Sequence, residues 1–126
     1  MAKEKDFQIY FNKWLKHVHC KTGAFELKLS RSDSLPYSSV APHQIDALLQ
    51  AKHGILVFKL PDVGYQNPFD TFSLSGVPAF IVIKFVKSGR IYGLDIDDFI
   101  KLRDGSSRKS ITESECQVIN TFEVVK

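Results

Sequence analysis

Residues 24–30 read AFELKLS, and this short stretch decides how the chain can fold. Apolar side chains at its odd-numbered positions alternate with glutamate, lysine and serine at later even-numbered positions. A period of two residues is that of a β-strand, in which successive side chains point to opposite faces. The stretch therefore predicts a strand with one face toward a core and one polar face.

The sequence on either side of this strand predicts a mixture of helices and strands. Before it, apolar residues three and four positions apart predict an amphipathic helix over 6–18. After it, the predicted elements are a loop at 31–41, a helix at 42–52 begun by Pro42, a buried strand at 55–60, a long irregular connection at 61–77, strands at 79–86 and 90–94 joined by a turn at 87–89, a helix from Asp95 to Leu102, a basic flexible segment at 101–110 and a helix begun by the capping box of Thr112 and Glu115. This order predicts a single α/β (α+β) domain over 1–126 with a mixed central sheet flanked by helices.

The composition is that of an ordinary globular chain. Its 126 residues are 44% apolar and carry a formal net charge of +3, which by itself favours no class of partner. No run approaches the roughly 18 apolar residues of a membrane helix, and the opening MAKEKDFQ lacks the apolar core of a signal peptide. We expect a cytoplasmic protein without a membrane span, in which Cys20 and Cys116 are free thiols.

The polar face of the strand carries the first candidate for chemistry. Glu26 and Lys28 stand about 7 Å apart along one face, by twice the rise per residue of a strand. For an isolated E-x-K, the simplest interpretation is a solvated strand face with a weak ion pair. The tripeptide alone does not distinguish this interpretation from a catalytic one.

Residues beyond the tripeptide form a longer pattern. GAFELK at 23–28 is followed by SLP at 34–36, by His43-Gln44 at the start of a predicted helix, and by the apolar residues 55–58. This pattern resembles the PD-(D/E)XK nuclease superfamily, and within it the RecU-type Holliday-junction resolvases of Gram-positive bacteria and their phages. The resemblance implies a restriction-endonuclease-like three-layer core and a structure-selective DNA endonuclease. It is good over 23–60 and thinner over the later strands.

The resemblance implies a role for each residue of the pattern. Glu26 and the backbone carbonyl of Leu27 would bind Mg²⁺ or Mn²⁺ through oxygen. Lys28 would position or activate the attacking water and offset charge on the phosphate. Gln44 would hold water or a phosphate oxygen, or would be a surface residue at the start of a helix. His43 would contact phosphate or cap its own helix.

One carboxylate of the family pattern is missing. Members of the family place an Asp ten to fifteen positions before the Glu, but no acid lies between Phe7 and Phe25 here. Candidates to replace it are Asp6, His19 and Asp33. The alternatives are a rearranged but active metal site, a site completed by a partner, and a nuclease fold that binds without cutting.

DNA is the partner that the resemblance implies, in a homodimer with two sites facing a junction. Basic residues near the predicted site, at the predicted hairpin and in the segment 101–110 would contact its backbone; these are Lys21, Arg31, His43, Lys87, Arg90, Arg103, Arg108 and Lys109. Ordinary solubilising charge is the other explanation of the same residues. Because one carboxylate is missing, a binding module without catalysis is the second hypothesis, and an α/β domain with an accidental E-x-K is the third.

Overall fold

The computed structural model describes residues 4–17, 22–59 and 69–125. Within these ranges, four α-helices and eight β-strands alternate along the chain. They are α1 (Glu4–His17), β1 (Ala24–Ser30), β2 (Ser34–Pro36), α2 (Pro42–His53), β3 (Ile55–Lys59), β4 (Thr71–Ser75), β5 (Ala79–Phe85), β6 (Arg90–Asp95), α3 (Ile96–Gly105), β7 (Ser110–Thr112), α4 (Glu113–Ile119) and β8 (Phe122–Glu123), with a short 3-10 turn at Tyr37–Ser39. The predicted fold class is confirmed, because a mixed central sheet is flanked by helices.

The central sheet has four strands in the order β1-β5-β6-β8. β1 lies parallel to β5, in register from Ala24 opposite Ala79 to Ser30 opposite Phe85. β6 lies antiparallel to both β5 and β8. A parallel neighbour requires a crossover connection, and α2 lies in the segment that joins β1 to β5.

Apolar side chains cover both faces of this sheet. On one face, Phe7 and Phe11 of α1 pack against Val82 and Ile91, together with the odd-numbered side chains of β1. On the other face, side chains from α2, α3 and α4 pack with odd-numbered residues of β5 and even-numbered residues of β6, which are Ile81, Ile83, Phe85, Tyr92 and Leu94. The sheet is therefore the middle of three layers, and Phe7 and Phe11 of α1 are part of the core.

Local sequence signals account for several element boundaries. Gly89 has a φ of 74° in the turn between β5 and β6, a conformation that favours glycine. The Asp95 carboxylate accepts a hydrogen bond from the backbone N–H of Asp97 at 2.8 Å and caps α3. Thr112 and Glu115 form the predicted capping box of α4. These predictions are confirmed.

The strand predicted at 55–60 is found, but its predicted burial is wrong. β3 pairs with β4 to form an antiparallel ribbon outside the central sheet, and most of its side chains are exposed. β5 occupies the place beside β1, where it buries five of its seven side chains. Pairing with β4 satisfies the backbone groups of β3 that face it, so the strand forms outside the central sheet.

Two segments predicted to be irregular contain short strands. β4 lies within 61–77, of which residues 61–68 are outside the described ranges. β2 lies within the predicted loop 31–41 and pairs antiparallel with β7. These strands are only three to five residues long, and their pairing depends on partners far away in the sequence.

No helix in the described part of the chain is long and apolar enough to cross a membrane.

Candidate functional site

β1 presents Glu26 and Lys28 on the sheet face that packs against α2. Their side chains converge, so that Nζ of Lys28 lies 3.4 Å from Oε2 of Glu26. Both are partly enclosed, with 16% of the lysine side chain and 26% of the glutamate side chain exposed. The pair is thus more enclosed than the solvated strand face considered from the sequence.

α2 supplies a third member of the site. Nε2 of Gln44 donates a hydrogen bond to Oε2 of Glu26 at 3.1 Å. Oε1 of the same amide accepts one from the backbone N–H of Ala41 at 3.0 Å. Because alanine has no side-chain oxygen to cap the helix, Gln44 helps to close the helix N-terminus. Gln44 therefore reaches the site from the start of the helix, and its amide is held at both ends. Its role in holding water or a phosphate oxygen stays a prediction.

Glu26 lines a groove that has a volume of about 510 Å³. The groove lies among the start of β1, the first turns of α2 and the ribbon of β3 and β4. Its lining combines polar groups with apolar ones: Gly23, Ala24, Phe25, Glu26, His43, Gln44, Ala47, Leu48, Leu56, Phe58 and Leu74. His43 thus lies where a contact with a bound group is possible.

Two oxygen ligands for a cation are available at this place among the described residues. Both contacts of the Glu26 carboxylate use Oε2, and Oε1 has no hydrogen-bond partner within the described ranges. The N–H of Ala24 and the C=O of Ser30 bond toward β5. Because this direction alternates along a strand in a parallel ladder, the carbonyl of Leu27 points to the open edge of β1. Two oxygens are fewer than the six that Mg²⁺ requires.

The described residues do not bring a second acid to Glu26. Asp6 is exposed on α1, which packs against the opposite face of the sheet. Asp33 lines a different pocket, with Arg108 and Glu113. Within the described ranges, no group of three or more His, Cys, Asp or Glu side chains is arranged to hold a metal ion. His19 lies outside those ranges.

Most of the basic candidates lie away from the groove. Glu26 pairs with the third residue of β5, and Lys87 follows the end of that strand, about 20 Å further along by the rise per residue. Lys87, Arg31, Arg108 and Lys109 are exposed, and Lys21 lies outside the described ranges.

Two arginines of this set form ion pairs within the chain. The guanidinium of Arg90 donates to both oxygens of Glu123, at 3.0 and 2.8 Å. This contact raises the pKa of Arg90 and lowers the pKa of Glu123. Arg103, predicted in a flexible segment, lies in α3 and bonds to the adjacent Asp104 at 2.9 Å. Both side chains already have an acidic partner, which reduces their availability for phosphate.

An ion-pair cluster holds α2 against α3. Nζ of Lys52 lies 2.8 Å from Asp95 and 2.6 Å from Asp97, and Nε2 of His53 lies 2.8 Å from the same oxygen of Asp97. The hydrogen bond from Lys52 and then that from His53 lower the pKa of Asp97. The hydrogen bonds from Asp95 and Asp97 raise the pKa of Lys52. This cluster fixes the end of the helix that carries Gln44.

The apolar wall of the groove was missed by sequence reasoning. On one face of the ribbon, Leu56 of β3 lies opposite Leu74 of β4, and Phe58 lies opposite Phe72. The spacing F-x-L at 72–74 is a period-two signal that could have indicated this strand. It lies in a segment rich in glycine and proline, which favoured an irregular connection.

Comparison with known proteins gives no assignment. No family model matches the chain, and no curated protein matches it. The functional interpretation therefore rests on the geometry of the groove and on the resemblance of the sequence pattern.

Proposed function

We propose that this protein is a metal-dependent DNA endonuclease of the PD-(D/E)XK type, acting on branched DNA in the manner of a Holliday-junction resolvase. The observation that carries the proposal is the convergence of Lys28 and Gln44 on one oxygen of Glu26 at the edge of an open groove. The two contacts come from different elements of the fold, β1 and α2. An accidental E-x-K on a solvated strand does not require a second element to orient its carboxylate.

Each side chain has a task suited to its chemistry. Lys28 would orient the attacking water and offset the charge that develops on the phosphate. Gln44 would keep the Glu26 carboxylate in one orientation, because its amide is itself held by the backbone of Ala41. Glu26 and the Leu27 carbonyl would hold Mg²⁺ or Mn²⁺, which when bound supplies Lewis-acid polarisation of the phosphate.

The ligand set fits a divalent cation only as part of a larger site. Glu26 and the Leu27 carbonyl are hard oxygen donors, which suit Mg²⁺ and Mn²⁺. The remaining ligands would come from water and phosphate oxygens. We therefore expect weak metal binding without DNA and tighter binding with it.

The partner proposal follows from the same resemblance. The DNA backbone would lie across the groove and reach exposed basic residues such as Lys87, Arg108 and Lys109. A homodimer would place two such grooves on one junction. Sedimentation with and without a four-way junction tests this assembly.

Cleavage of a synthetic four-way junction tests the proposed activity. We expect cleavage with Mg²⁺ or Mn²⁺, and its loss in Glu26→Gln and Lys28→Ala. Removing one preorganised electrostatic group of this kind costs about 10²–10³ in rate. The matched controls are Glu4→Gln and Lys101→Ala, which change exposed residues of α1 and α3 and should leave the rate unchanged. Cleavage that survives both site substitutions would contradict the assignment.

A nuclease-like fold that binds DNA without cutting is the second candidate. It is favoured by the lack of a second carboxylate beside Glu26 among the described residues. Under this alternative, the wild-type protein binds the junction in a salt-dependent manner and cuts it with neither cation. The cleavage assay and a binding titration at two salt concentrations distinguish the two candidates.

A further inference from the structure

The ribbon of β3 and β4 carries an exposed aromatic cluster next to the groove. The rings of Phe58 and Phe72 are stacked, with centroids 5.4 Å apart and planes 27° from parallel. Phe69 meets Phe72 edge-on, with centroids 4.6 Å apart. The three residues are 41%, 37% and 47% exposed, respectively. Three adjacent phenylalanines at such exposure form an unusual surface, because rings of this size are normally buried.

The two faces of the ribbon differ. The side chains of Leu56, Phe58, Phe72 and Leu74 lie on one face, and three of them line the groove of Glu26. On the other face, Ile55, Val57 and Lys59 of β3 lie opposite serine and threonine residues of β4. The aromatic cluster is therefore confined to the ribbon face that borders the candidate site.

The groove has a mixed chemical character. Its apolar wall faces Glu26, His43 and Gln44 in the same groove. A purely apolar occupant, such as the apolar face of a helix from a second copy of the chain, would cover these polar groups without forming hydrogen bonds with them. The occupant that fits has a flat apolar face and a charged, hydrogen-bonding part.

A cation lies beside the groove. The ammonium of Lys28 is 3.4 Å from Glu26 at one side. A nucleotide combines a π-face, which stacks on aromatic rings, with a phosphate, which this ammonium attracts.

We propose that Phe58 and Phe72 form a stacking platform for an unpaired nucleobase whose strand passes through the groove of Glu26. This inference rests on the proposed function, and it defines the substrate class as DNA with unpaired nucleotides beside the cleaved bond. The platform recognises any base, because stacking depends on the ring face and not on base-edge hydrogen bonds.

Binding to matched oligonucleotides tests the platform. The assay measures fluorescence anisotropy in EDTA, so that cleavage does not occur, with a duplex and with the same duplex carrying an unpaired flap. We expect the wild-type protein to bind the flap DNA about tenfold more tightly, which is the scale of one base stacked on an aromatic ring. A 2-aminopurine in the flap should lose fluorescence on binding.

Substitutions at the ribbon separate ring stacking from simple apolarity. Phe58→Leu keeps an apolar side chain but removes the ring, and we expect it to lose the preference for the flap while duplex binding is unchanged. Phe58→Trp should retain the preference and give an indole emission that the flap quenches. The matched control is Val57→Leu, on the other face of the same strand, which should behave as the wild type.

The possible results distinguish this inference from the function on which it rests. Equal binding of duplex and flap DNA, or a preference that survives Phe58→Leu, overturns the platform but leaves the nuclease proposal intact. No binding of either DNA at low salt overturns both proposals. A dimer that Phe58→Leu dissociates, with oligonucleotide binding unchanged, would show that a second copy occupies the ribbon and would also overturn the platform. A ring-dependent preference without any cleavage would support the platform and reject the nuclease.

Discussion

β3 and β5 are both apolar strands that follow α2 in the sequence, but most side chains of β5 are buried and most side chains of β3 are exposed. β5, AFIVIKF, lies between two neighbours in the central sheet and has four of its apolar side chains at 0% exposure besides Ala79. β3, ILVFK, lies in a two-stranded ribbon and leaves Ile55 and Val57 more than 60% exposed. An apolar run therefore indicates a strand, whereas its burial depends on which strand fills the place beside β1.

The largest expected effect comes from truncating one isoleucine in each strand. Ile83→Ala in β5 removes a fully buried side chain, and we expect a loss of about 2–5 kcal/mol in the free energy of unfolding. Ile55→Ala in β3 should change it by less than about 0.5 kcal/mol, because the side chain is already in water. Urea denaturation measures both. Equal losses would contradict the distinction between a buried sheet and an open ribbon.

A second test adds a methyl group to the central sheet. Gly93 on β6 lies opposite Phe122 on β8, and a Cβ at this position would collide with the phenylalanine ring. That ring cannot move easily because it packs on Trp14 and Phe80. We expect Gly93→Ala to cost about 1–3 kcal/mol in thermal or urea denaturation. Gly105→Ala, with open space around it, is the control and should cost little.

A smaller, pH-dependent effect is expected at the ion-pair cluster that holds α2 against α3. The lowered pKa of Asp97 means that its contribution is present above the unfolded pKa near 4 and is lost as the pH falls through the lower folded value. Because both partners are partly exposed, we expect Asp97→Asn to destabilise the protein by about 0.5–1 kcal/mol at pH 7.

The difference between Asp97→Asn and the wild type should shrink at acidic pH. Both proteins are compared in urea at pH 7 and in steps down to pH 3, because the contribution of the wild-type carboxylate is lost as the pH falls through the lowered folded pKa of Asp97. The raised pKa of Lys52 gives the opposite edge of the window, because its contribution is lost as the pH rises through its folded value. A difference that stays constant between pH 7 and pH 3 would show that Asp97 acts through packing and not through charge.

Much of the fold could be predicted from local sequence signals. The alternation in β1, the Pro42 start of α2 and the caps at Asp95 and Thr112 all act within a few residues, and each is found in the structure. The short strands β2, β4 and β7 could not be predicted. They pair across long sequence separations, and their two or three residues per face carry no strong period.

The candidate site could be predicted only in part, because some of its features are local in the sequence and others depend on tertiary packing. Glu26 and Lys28 share a face by strand geometry alone, and the resemblance pointed to Gln44. The contact of Gln44 with Glu26 depends on how α2 packs over β1. The apolar wall of the groove depends on the pairing of β3 with β4. Both are tertiary arrangements that one-dimensional patterns do not encode. The apolar run at 55–60 predicted a buried strand, whereas β5 is the buried strand beside β1.

Manganese binding in the presence of DNA tests the central claim most directly. Electron paramagnetic resonance can count Mn²⁺ bound to the protein with a non-cleavable phosphorothioate four-way junction, in the wild type and in Glu26→Gln. We expect one site that is weak without DNA, tight with it, lost in Glu26→Gln and weakened about 10–100-fold in Gln44→Ala. Mn²⁺ binding that is equal in the wild type and Glu26→Gln would contradict a metal-dependent nuclease site in this groove.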